Sequence, residues 1–240
     1  MYKQILVFDV ETTGLDHKFD QIIEFGGVLL NEKMEVIDEI ATFIKCDTPL
    51  SAKIKEITNI SDEMLIDGME EEKLAIMLDE LIKEDTLLIA YNIQFDIGFL
   101  ISLLERFNLK FKNNPLLDCM VIYKERHPYP HRLLNAIATY DLPAVNSHRA
   151  LDDAKATFLL LERMNNDADV FRYINKISFH SKYGLSGYKL DYIEYYPHVY
   201  NNGPAKNIRT CPKCGQWLKK TNGIHGLFYL CRKCNHTESI

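Results

Sequence analysis

The chain has 240 residues, 47% hydrophobic and 26% charged, with a formal net charge of −6. This length and composition are typical of a soluble globular domain with a smaller appended one, and they exclude a disordered or collagen-like chain. The charge is uneven, because residues 204–240 have a charge of +6 and residues 1–203 a charge of −12. The basic C-terminal part is therefore the better candidate for contacts with phosphates.

The N-terminal sequence MYKQILVFDVETTG does not resemble a signal peptide, because acidic residues begin at position 9 and no small-residue cleavage site is present. No apolar run approaches the roughly 18 residues that a membrane helix needs. We therefore expect a soluble, cytoplasmic protein without a membrane partner.

Strand and helix patterns follow one another along the first two thirds of the chain. Apolar runs bounded by turn residues predict four strands, at 4–10, 21–30, 35–44 and 86–91. Apolar residues that recur every three or four positions predict four helices, at 70–83, near 96–107, at 132–140 and at 150–164. Three neighbouring strands, followed by strands that alternate with helices, predict an α/β fold with a mixed sheet flanked by helices.

The first predicted strand ends in Asp9-Val10-Glu11. Side chains two apart on a strand project from the same face, so the carboxylates of Asp9 and Glu11 converge. Such carboxylates repel each other unless they are protonated or bind a cation, and oxygen ligands favour Mg2+ or Mn2+ over Zn2+. The pair alone is weak evidence, since Asp-x-Glu is common on surfaces. The residues that follow, 12–15, offer hydroxyl groups and a tight turn that could approach a ligand.

Two later segments place polar residues at helix starts. Asp96 follows the fourth strand, where it could simply cap the next helix, and Asn92 could be an ordinary turn residue. His148 precedes the last predicted helix and Asp153 lies in its first turns, whereas Asp152 is about 100° further round and faces solvent. A histidine beside carboxylates can accept a proton from water, because its unperturbed pKa is about 6.5.

The segments DVETTGL, YNIQFD and HRALDDA, in this order, resemble the three motifs of the DEDDh 3′–5′ exonucleases. This is the DnaQ-like family, which includes the proofreading (epsilon) subunit of bacterial DNA polymerase III. The resemblance covers about residues 1–165 and implies a ribonuclease-H-like fold with a five-stranded mixed sheet. The chain departs from the family at Tyr91, where many members have His before the Asn of the second motif, and this difference could affect substrate preference.

The resemblance implies roles for the matched residues. The four metal-binding acids are Asp9, Glu11, Asp96 and Asp153, and the general base is His148. The candidate substrate-binding residues are Thr12, Thr13, Leu15 and Asn92. By analogy, the backbone around Thr12 and Thr13 would hold the terminal 3′-hydroxyl and Leu15 would pack against the terminal base. The expected cofactors are two catalytic Mg2+ or Mn2+ ions, whose charge matches that of the four carboxylates.

Four cysteines near the C-terminus indicate a second metal site. Cys211, Cys214, Cys231 and Cys234 form two C-x2-C pairs separated by sixteen residues, the spacing of a four-thiolate zinc site. We predict one structural Zn2+ in a small zinc ribbon. The alternative, two disulfides, would require a secreted protein. The ribbon could bind nucleic acid, or it could dock a polymerase or another replication or repair protein.

These patterns divide the chain into three parts. We predict an exonuclease domain at 1–165, a tyrosine-rich connector that contains β structure at 166–203, and the zinc ribbon at 204–240. The connector holds seven of the thirteen tyrosines. Tyrosines at strand spacing usually pack against a core, so we favour packing over the alternative of a stacking platform for single-stranded bases.

The leading hypothesis is a metal-dependent 3′–5′ exonuclease that acts on single-stranded nucleic acid or frayed 3′ ends and releases nucleoside 5′-monophosphates. DNA is the favoured substrate. An RNA-trimming or oligoribonucleotide exonuclease is the alternative enzyme, because the motifs do not report the sugar. A non-catalytic nucleic-acid-binding or partner-binding scaffold is the third hypothesis, and the clustered acids argue against it because a scaffold has no need to hold them together.

Overall fold

The computed structural model describes residues 2–144, 147–179 and 190–197, and in the C-terminal part residues 212–213, 219–223, 226–230, 234 and 236–239. The chain forms two compact units, residues 1–199 and residues 200–240. Within the described residues, each helix is too short or too polar to cross a membrane.

The first unit is built around a five-stranded mixed sheet. Its strands are β1 (Gln4–Thr12), β2 (Ile22–Asn31), β3 (Val36–Phe43), β4 (Thr86–Ala90) and β5 (Leu116–Asp118). They are ordered β3-β2-β1-β4-β5 across the sheet. β1 pairs antiparallel with β2 and parallel with β4, and β4 pairs parallel with β5. The predicted α/β fold with a mixed five-stranded sheet is confirmed.

Helices cover both faces of this sheet. They are α1 (Ala52–Thr58), α2 (Asp62–Leu65), α3 (Glu71–Leu81), α4 (Ile93–Arg106), α5 (Cys119–Arg126), α6 (Leu133–Thr139) and α7 (Ala150–Asp167). Apolar residues of α3 and α4 form one buried cluster with the sheet, and those of α5, α6 and α7 form another. We call these the α3–α4 cluster and the α5–α7 cluster.

Side chains along β1 alternate between the two faces of the sheet, and this alternation determines the face on which its acidic residues lie. Even-numbered residues from Leu6 onward belong to the α3–α4 cluster, and the odd-numbered Ile5 and Val7 belong to the α5–α7 cluster. Asp9 and Glu11 continue the odd-numbered side, because side chains alternate along a strand. Their carboxylates therefore lie on the face that α7 covers.

The structure corrects the predicted start of α4 and adds four elements. The helix begins at Ile93 rather than near 96, directly after Asn92, which has a left-handed backbone with φ of 68°. Asp96 therefore lies within the first turn and does not cap the helix. Four further elements, which have three to eight residues each, were not predicted from the sequence: β5, α1, α2 and α5. β5 and α2, with three and four residues, are too short for a period to be recognised.

The described part of the tyrosine-rich connector belongs to the first unit and packs against its core. Its strands β6 (Lys176–Phe179) and β7 (Glu194–Pro197) form a parallel pair. Tyr173 is buried in the α5–α7 cluster, and Tyr192 and Tyr195 pack against the α3–α4 cluster. The packing interpretation is confirmed for these three tyrosines. Three other connector tyrosines lie outside the described residues, at positions 183, 188 and 200.

The described part of the second unit is a three-stranded antiparallel sheet. Its strands are β8 (Lys219–Gly223), β9 (Gly226–Leu230) and β10 (Thr237–Ser239), in the order β10-β9-β8. Among the predicted zinc ligands, Cys234 is exposed, whereas Cys211, Cys214 and Cys231 lie outside the described residues. The zinc site therefore stays a prediction from the cysteine spacing.

Candidate active site

The predicted acids of the first two motifs meet where β1 and β4 end. The two strands are parallel and Val7 pairs with Ile89, so the end of β1 lies beside the turn that leads into α4. Asp96 is buried in the first turn of α4, and its Oδ1 accepts a hydrogen bond from the backbone N–H of Val10 at 3.2 Å. This bond places Asp96 against the backbone between Asp9 and Glu11.

The start of α7 brings the residues of the third motif to the same place. One ligand atom each from Glu11, His148 and Asp153 can be chosen so that all three lie within 4.8 Å of one another. Asp153 is buried and its Oδ1 accepts a hydrogen bond from the backbone N–H of Ser147 at 3.2 Å, whereas His148 is exposed. Asp152 is exposed, as the helix geometry predicted. The structure therefore brings together the four predicted acids and the predicted base.

The backbone at His148 is held in an unusual conformation. Its φ is 54°, in the left-handed region that a residue other than glycine adopts at a cost on the order of 1 kcal/mol. This residue and Arg149 lead directly into α7, which begins at Ala150. The conformation keeps His148 outside the helix and exposed beside the two carboxylates.

A glycine allows α7 to approach the sheet. Gly26 on β2 pairs with Asp9 on β1. A Cβ atom at Gly26 would lie 2.1 Å from the backbone nitrogen of Leu151 and 2.2 Å from the carbonyl carbon of Ala150. Real Cβ atoms do not approach other heavy atoms this closely. Only glycine therefore lets the first turn of α7 lie directly beside Asp9.

An ion pair between a buried glutamate and a partly exposed arginine, which was not predicted from the sequence, fixes the segment that contains His148. Glu24 on β2 is 3% exposed and pairs with the Arg149 guanidinium at 2.9 Å, and it also accepts a hydrogen bond from Ala150 N–H at 3.3 Å. The same guanidinium lies 5.0 Å from the centre of the Phe43 ring. A lone acidic residue in the apolar strand IIEFGGVLL was the available signal, because such a residue is rarely buried without a partner.

A second missed residue, Asp118 at the end of β5, fixes the start of α4. Asp118 is fully buried, and its carboxylate accepts hydrogen bonds at 3.0 Å from the backbone N–H groups of Asn92, Met120 and Ser178. The bond to Asn92 holds the left-handed turn from which α4 begins. The predicted substrate residue Asn92 is therefore a fixed point in the turn that leads to Asp96.

The end of β1 and the loop that follows it hold the remaining predicted substrate residues. Thr12 Oγ1 donates a hydrogen bond to the carbonyl oxygen of Gly14 at 2.6 Å, and Thr13 Oγ1 donates one to Asp20 Oδ1 at 3.2 Å. Both hydroxyl groups therefore contribute to the shape of the loop. Leu15 is 55% exposed to solvent.

Tyr91, the departure from the family pattern, contributes to packing. Its hydroxyl donates a hydrogen bond to the backbone carbonyl of His131 at 2.9 Å. Its ring packs against the α5–α7 cluster. The tyrosine thus connects the end of β4 to the segment that precedes α6.

Burial and mutual repulsion raise the pKa values of acidic residues in the candidate active site. Burial first, and then the charges of Asp96, Glu11 and Asp153, raise the pKa of Asp9 well above its usual range. Burial also raises the pKa of Asp96 well above its usual range. Burial, followed by the charges of Asp153 and Glu24, raises the pKa of Glu11 to about 8. Carboxylates in this state fit a site for divalent cations, and carboxylate oxygen donors suit Mg2+ or Mn2+.

The raised pKa of Glu11 predicts how stability changes with pH. A carboxyl group with a higher pKa in the folded chain binds more protons when folded, so the folded state loses stability as pH rises. For Glu11 this window runs from the usual 4.5 to about 8. We expect the Tm of chelator-treated protein to fall across this window. Added Mg2+ should raise the Tm more at pH 8 than at pH 5, because protons compete with the cation.

Thermal unfolding at several pH values, with EDTA and with Mg2+, measures this dependence. Glu11→Gln should make the fall in Tm shallower, whereas Asp152→Asn, which changes an exposed neighbour of the cluster, should leave it as in the parent protein. A Tm without pH dependence between 5 and 8, or the same dependence in Glu11→Gln, would contradict the prediction.

Part of the sequence is similar to part of the sequence of bacterial DNA polymerases. The exonuclease family RNase_T matches residues 6–161. The PolC-type DNA polymerase III of Bacillus cereus is 36% identical over 164 residues, which cover 68% of this chain and 11% of that protein. The Bacillus subtilis protein of the same name is 36% identical over 166 residues, with the same coverage. The chain thus spans about a tenth of the length of these relatives.

Solved structures share the fold at lower identity. Escherichia coli exonuclease I in complex with a dT13 oligonucleotide has a TM-score of 0.61 and 18% identity, over 71% of this chain and 43% of that chain. The zinc-bound form of its complex with single-stranded DNA has a TM-score of 0.64 and 18% identity, over 72% and 43%. The match to the RNase_T family covers more than half of the chain, and the fold and the order of the three motifs agree with it. The chain therefore belongs to the exonuclease family, in its DnaQ-like branch.

Proposed function

We propose that this chain is a 3′–5′ exonuclease that depends on divalent metal ions. It hydrolyses the terminal phosphodiester of a single strand or a frayed 3′ end and releases nucleoside 5′-monophosphates. The observation that supports this proposal most is the convergence of four acids and a histidine from β1, α4 and the start of α7. A scaffold gains nothing from this cluster, since it costs stability through burial and repulsion.

The acids are suited to hold the cations. The residues that would hold them are Asp9, Glu11, Asp96 and Asp153, whose four negative charges match two divalent ions. When bound, the cations supply electrostatic stabilisation of the charge that develops on the scissile phosphate and on the leaving oxygen. The ion pair between Glu24 and Arg149 keeps α7, and with it Asp153, against the sheet.

His148 is the proposed general base. It is exposed, so solvent reaches its ring, and a ring nitrogen lies within 4.8 Å of carboxylate oxygens of Glu11 and Asp153. The imidazole accepts the proton of the attacking water. The left-handed backbone at His148 fixes where the ring can lie.

The loop after β1 is the proposed site of the 3′-terminal nucleotide. The backbone at Thr12 and Thr13 lies next to Glu11, and the exposed Leu15 packs against the terminal base. Asn92, at the start of α4, completes the substrate-binding set. The PolC-type relatives are named as DNA polymerases, which favours DNA as the substrate and a role in replication or repair.

The second unit is the proposed zinc ribbon. Lys219 at the start of β8 pairs with Leu230 at the end of β9. Along the sequence, the first cysteine pair precedes Lys219 and the second begins directly after Leu230. This arrangement supports one Zn2+ held by four thiolates. The ribbon either binds nucleic acid or docks a polymerase or another replication or repair protein.

The function is tested with 5′-labelled single-stranded DNA, duplex DNA and RNA, each with Mg2+, with Mn2+ and with EDTA. We expect a ladder that shortens from the 3′ end, requires Mg2+ or Mn2+, and is faster on single-stranded DNA than on RNA. Mass spectrometry should identify nucleoside 5′-monophosphates. Cleavage in EDTA or from within the strand would reject the proposal, and faster cleavage of RNA would select the RNA-trimming alternative. Folded protein without any cleavage would favour the scaffold.

A further inference from the structure

Two apolar side chains project into solvent from the loop that joins β1 to β2. Leu15 is 55% exposed and Phe19 is 88% exposed, and Phe19 is the most exposed large hydrophobic residue in the described part of the chain. Single exposed apolar residues are common and need no explanation. Here, however, the aromatic ring belongs to the same loop as Thr12 and Thr13, which extend directly from the acidic end of β1.

Internal hydrogen bonds hold this loop in one shape. The Asp20 carboxylate accepts hydrogen bonds from Thr13 Oγ1 at 3.2 Å and from the backbone N–H of Asp16 at 2.9 Å. The backbone N–H groups of Phe19 and Asp20 both donate to the carbonyl oxygen of Asp16, at 3.0 and 2.8 Å. Gly14 has no side chain, and a Cβ atom there would lie 2.3 Å from the Asp20 carboxylate. The loop is therefore closed around Asp20.

A buried histidine also anchors the loop to α4. His17 is 2% exposed, and its Nδ1 shares a hydrogen bond of 2.5 Å with the hydroxyl of Ser102. Its ring meets the Phe99 ring edge-on, with 6.3 Å between the two centres. Phe19 lies two residues further along the chain, on a backbone that these contacts hold in place. A loop backbone held in advance in this way loses little conformational entropy when the loop binds a partner.

Phe19 lines a groove of about 280 Å³, and Thr13, which follows the end of β1, lines it as well. Thr13 and Asp20 lie on one side of the groove, and Thr48, Leu50 and Ser51 lie on the other, in the segment that precedes and begins α1. The lining contains apolar and hydroxyl groups, an amide, a thiol and a carboxylate, but no Lys or Arg. Such a lining disfavours a phosphate and suits an uncharged base with its sugar.

We propose that this groove binds the base of a nucleotide upstream of the scissile bond, with that base stacked on Phe19. The inference rests on the proposed exonuclease function, because Thr13 belongs both to the groove and to the loop that would receive the 3′ terminus. Every base has an aromatic face, so stacking on Phe19 would grip a single strand without regard to sequence. Phe19 is in this sense a binding residue for the strand and takes no part in the chemistry.

The test combines a substitution in the protein with a change in the strand. The first cleavage of a 5′-labelled oligonucleotide is followed with Mg2+, with an abasic analogue placed in turn at each of the three nucleotides before the terminal one. We expect Phe19→Ala to raise KM for the intact strand by roughly five- to a hundredfold, with a much smaller change in kcat. Phe19→Tyr should retain most of the affinity, because it keeps the ring.

The abasic analogue identifies the stacked base. At one upstream position it should raise KM of the parent protein by a similar factor, yet cause little further increase in Phe19→Ala, because both changes remove the same contact. Ile76→Ala, which removes an exposed side chain of α3 outside the groove, serves as the matched control. Circular dichroism and Tm should show the parent fold for Phe19→Ala, since its ring is almost wholly in solvent.

The outcomes separate this inference from the function on which it rests. If no nucleic acid is degraded, or if degradation does not need the cation, the proposed function fails. If the strand is degraded but Phe19→Ala has the KM of the parent protein, or if its effect and that of the abasic analogue multiply independently, only the stacking inference fails. The exposed ring would then be a contact for a protein partner.

Discussion

Replacing Asp153 by Asn is expected to lower kcat on single-stranded DNA on the order of a thousandfold or more. Asp153 is 5% exposed, and one of its carboxylate oxygens lies within 4.8 Å of ligand atoms of Glu11 and His148. Asparagine keeps the size of the side chain but removes the charge that binds a cation. The loss should therefore appear in turnover while the fold remains intact.

The chain provides a matched control for this variant at the next residue. Asp152 is on the same helix and has the same side chain, but it is exposed and its carboxylate accepts a hydrogen bond from Ser147 Oγ. Asp152→Asn should keep turnover within a few-fold of the parent protein. In EDTA, the Asp153→Asn variant should unfold at the same temperature as the parent protein or at a higher one. The substitution removes a negative charge that repels the carboxylates of Asp9 and Glu11.

Steady-state rates and thermal unfolding of the two variants are the required measurements. Equal activity losses in Asp152→Asn and Asp153→Asn would show that activity depends on the total charge of α7 and not on Asp153 as a specific metal ligand. If Asp153→Asn keeps more than a tenth of the activity, Asp153 is not a ligand that catalysis requires.

The placement of the acids followed from the sequence because strands and helices have fixed periods. The two-residue period of β1 put Asp9 and Glu11 on one face, and the helical period put Asp153 inward and Asp152 outward, as the structure has them. The mixed sheet flanked by helices followed from the order of the elements and from the resemblance to the family motifs. These features depend on short stretches of chain, which is why the sequence alone was sufficient for them.

The residues that hold the site together could not be predicted in this way. Glu24 and Arg149 are 125 positions apart, and Asp118 joins Asn92 to Ser178 across three separate elements. Such contacts depend on how the helices lie on the sheet, which no local pattern encodes. The closed shape of the loop after β1 was missed for the same reason, because its anchor connects His17 to Ser102 on α4.

Replacing Gly26 by Ala is expected to lower activity on the order of a hundredfold, although Gly26 contacts no substrate. The added Cβ would lie 2.1 Å from a backbone atom of α7, and backbone cannot rotate away as a side-chain end can. The start of α7 must then move by about 1 Å or more, and a displacement of that size at a catalytic group can cost about a hundredfold in rate. His148 and Asp153 would move with it, so we also expect weaker binding of Mg2+.

Gly27, the next residue on β2, is the matched control. A Cβ atom there would meet Leu6 Cδ1 at 3.1 Å and Phe25 Cε1 at 3.2 Å, which are side-chain atoms that can shift by the few tenths of an ångström required. Gly27→Ala should therefore cost some stability, with a loss of activity at least about tenfold smaller than that of Gly26→Ala. Turnover, the Mg2+ concentration at half-maximal rate and the Tm are measured for both variants. If Gly26→Ala retained the parent turnover and Mg2+ dependence, the close approach of α7 to β2 would not be what positions His148 and Asp153.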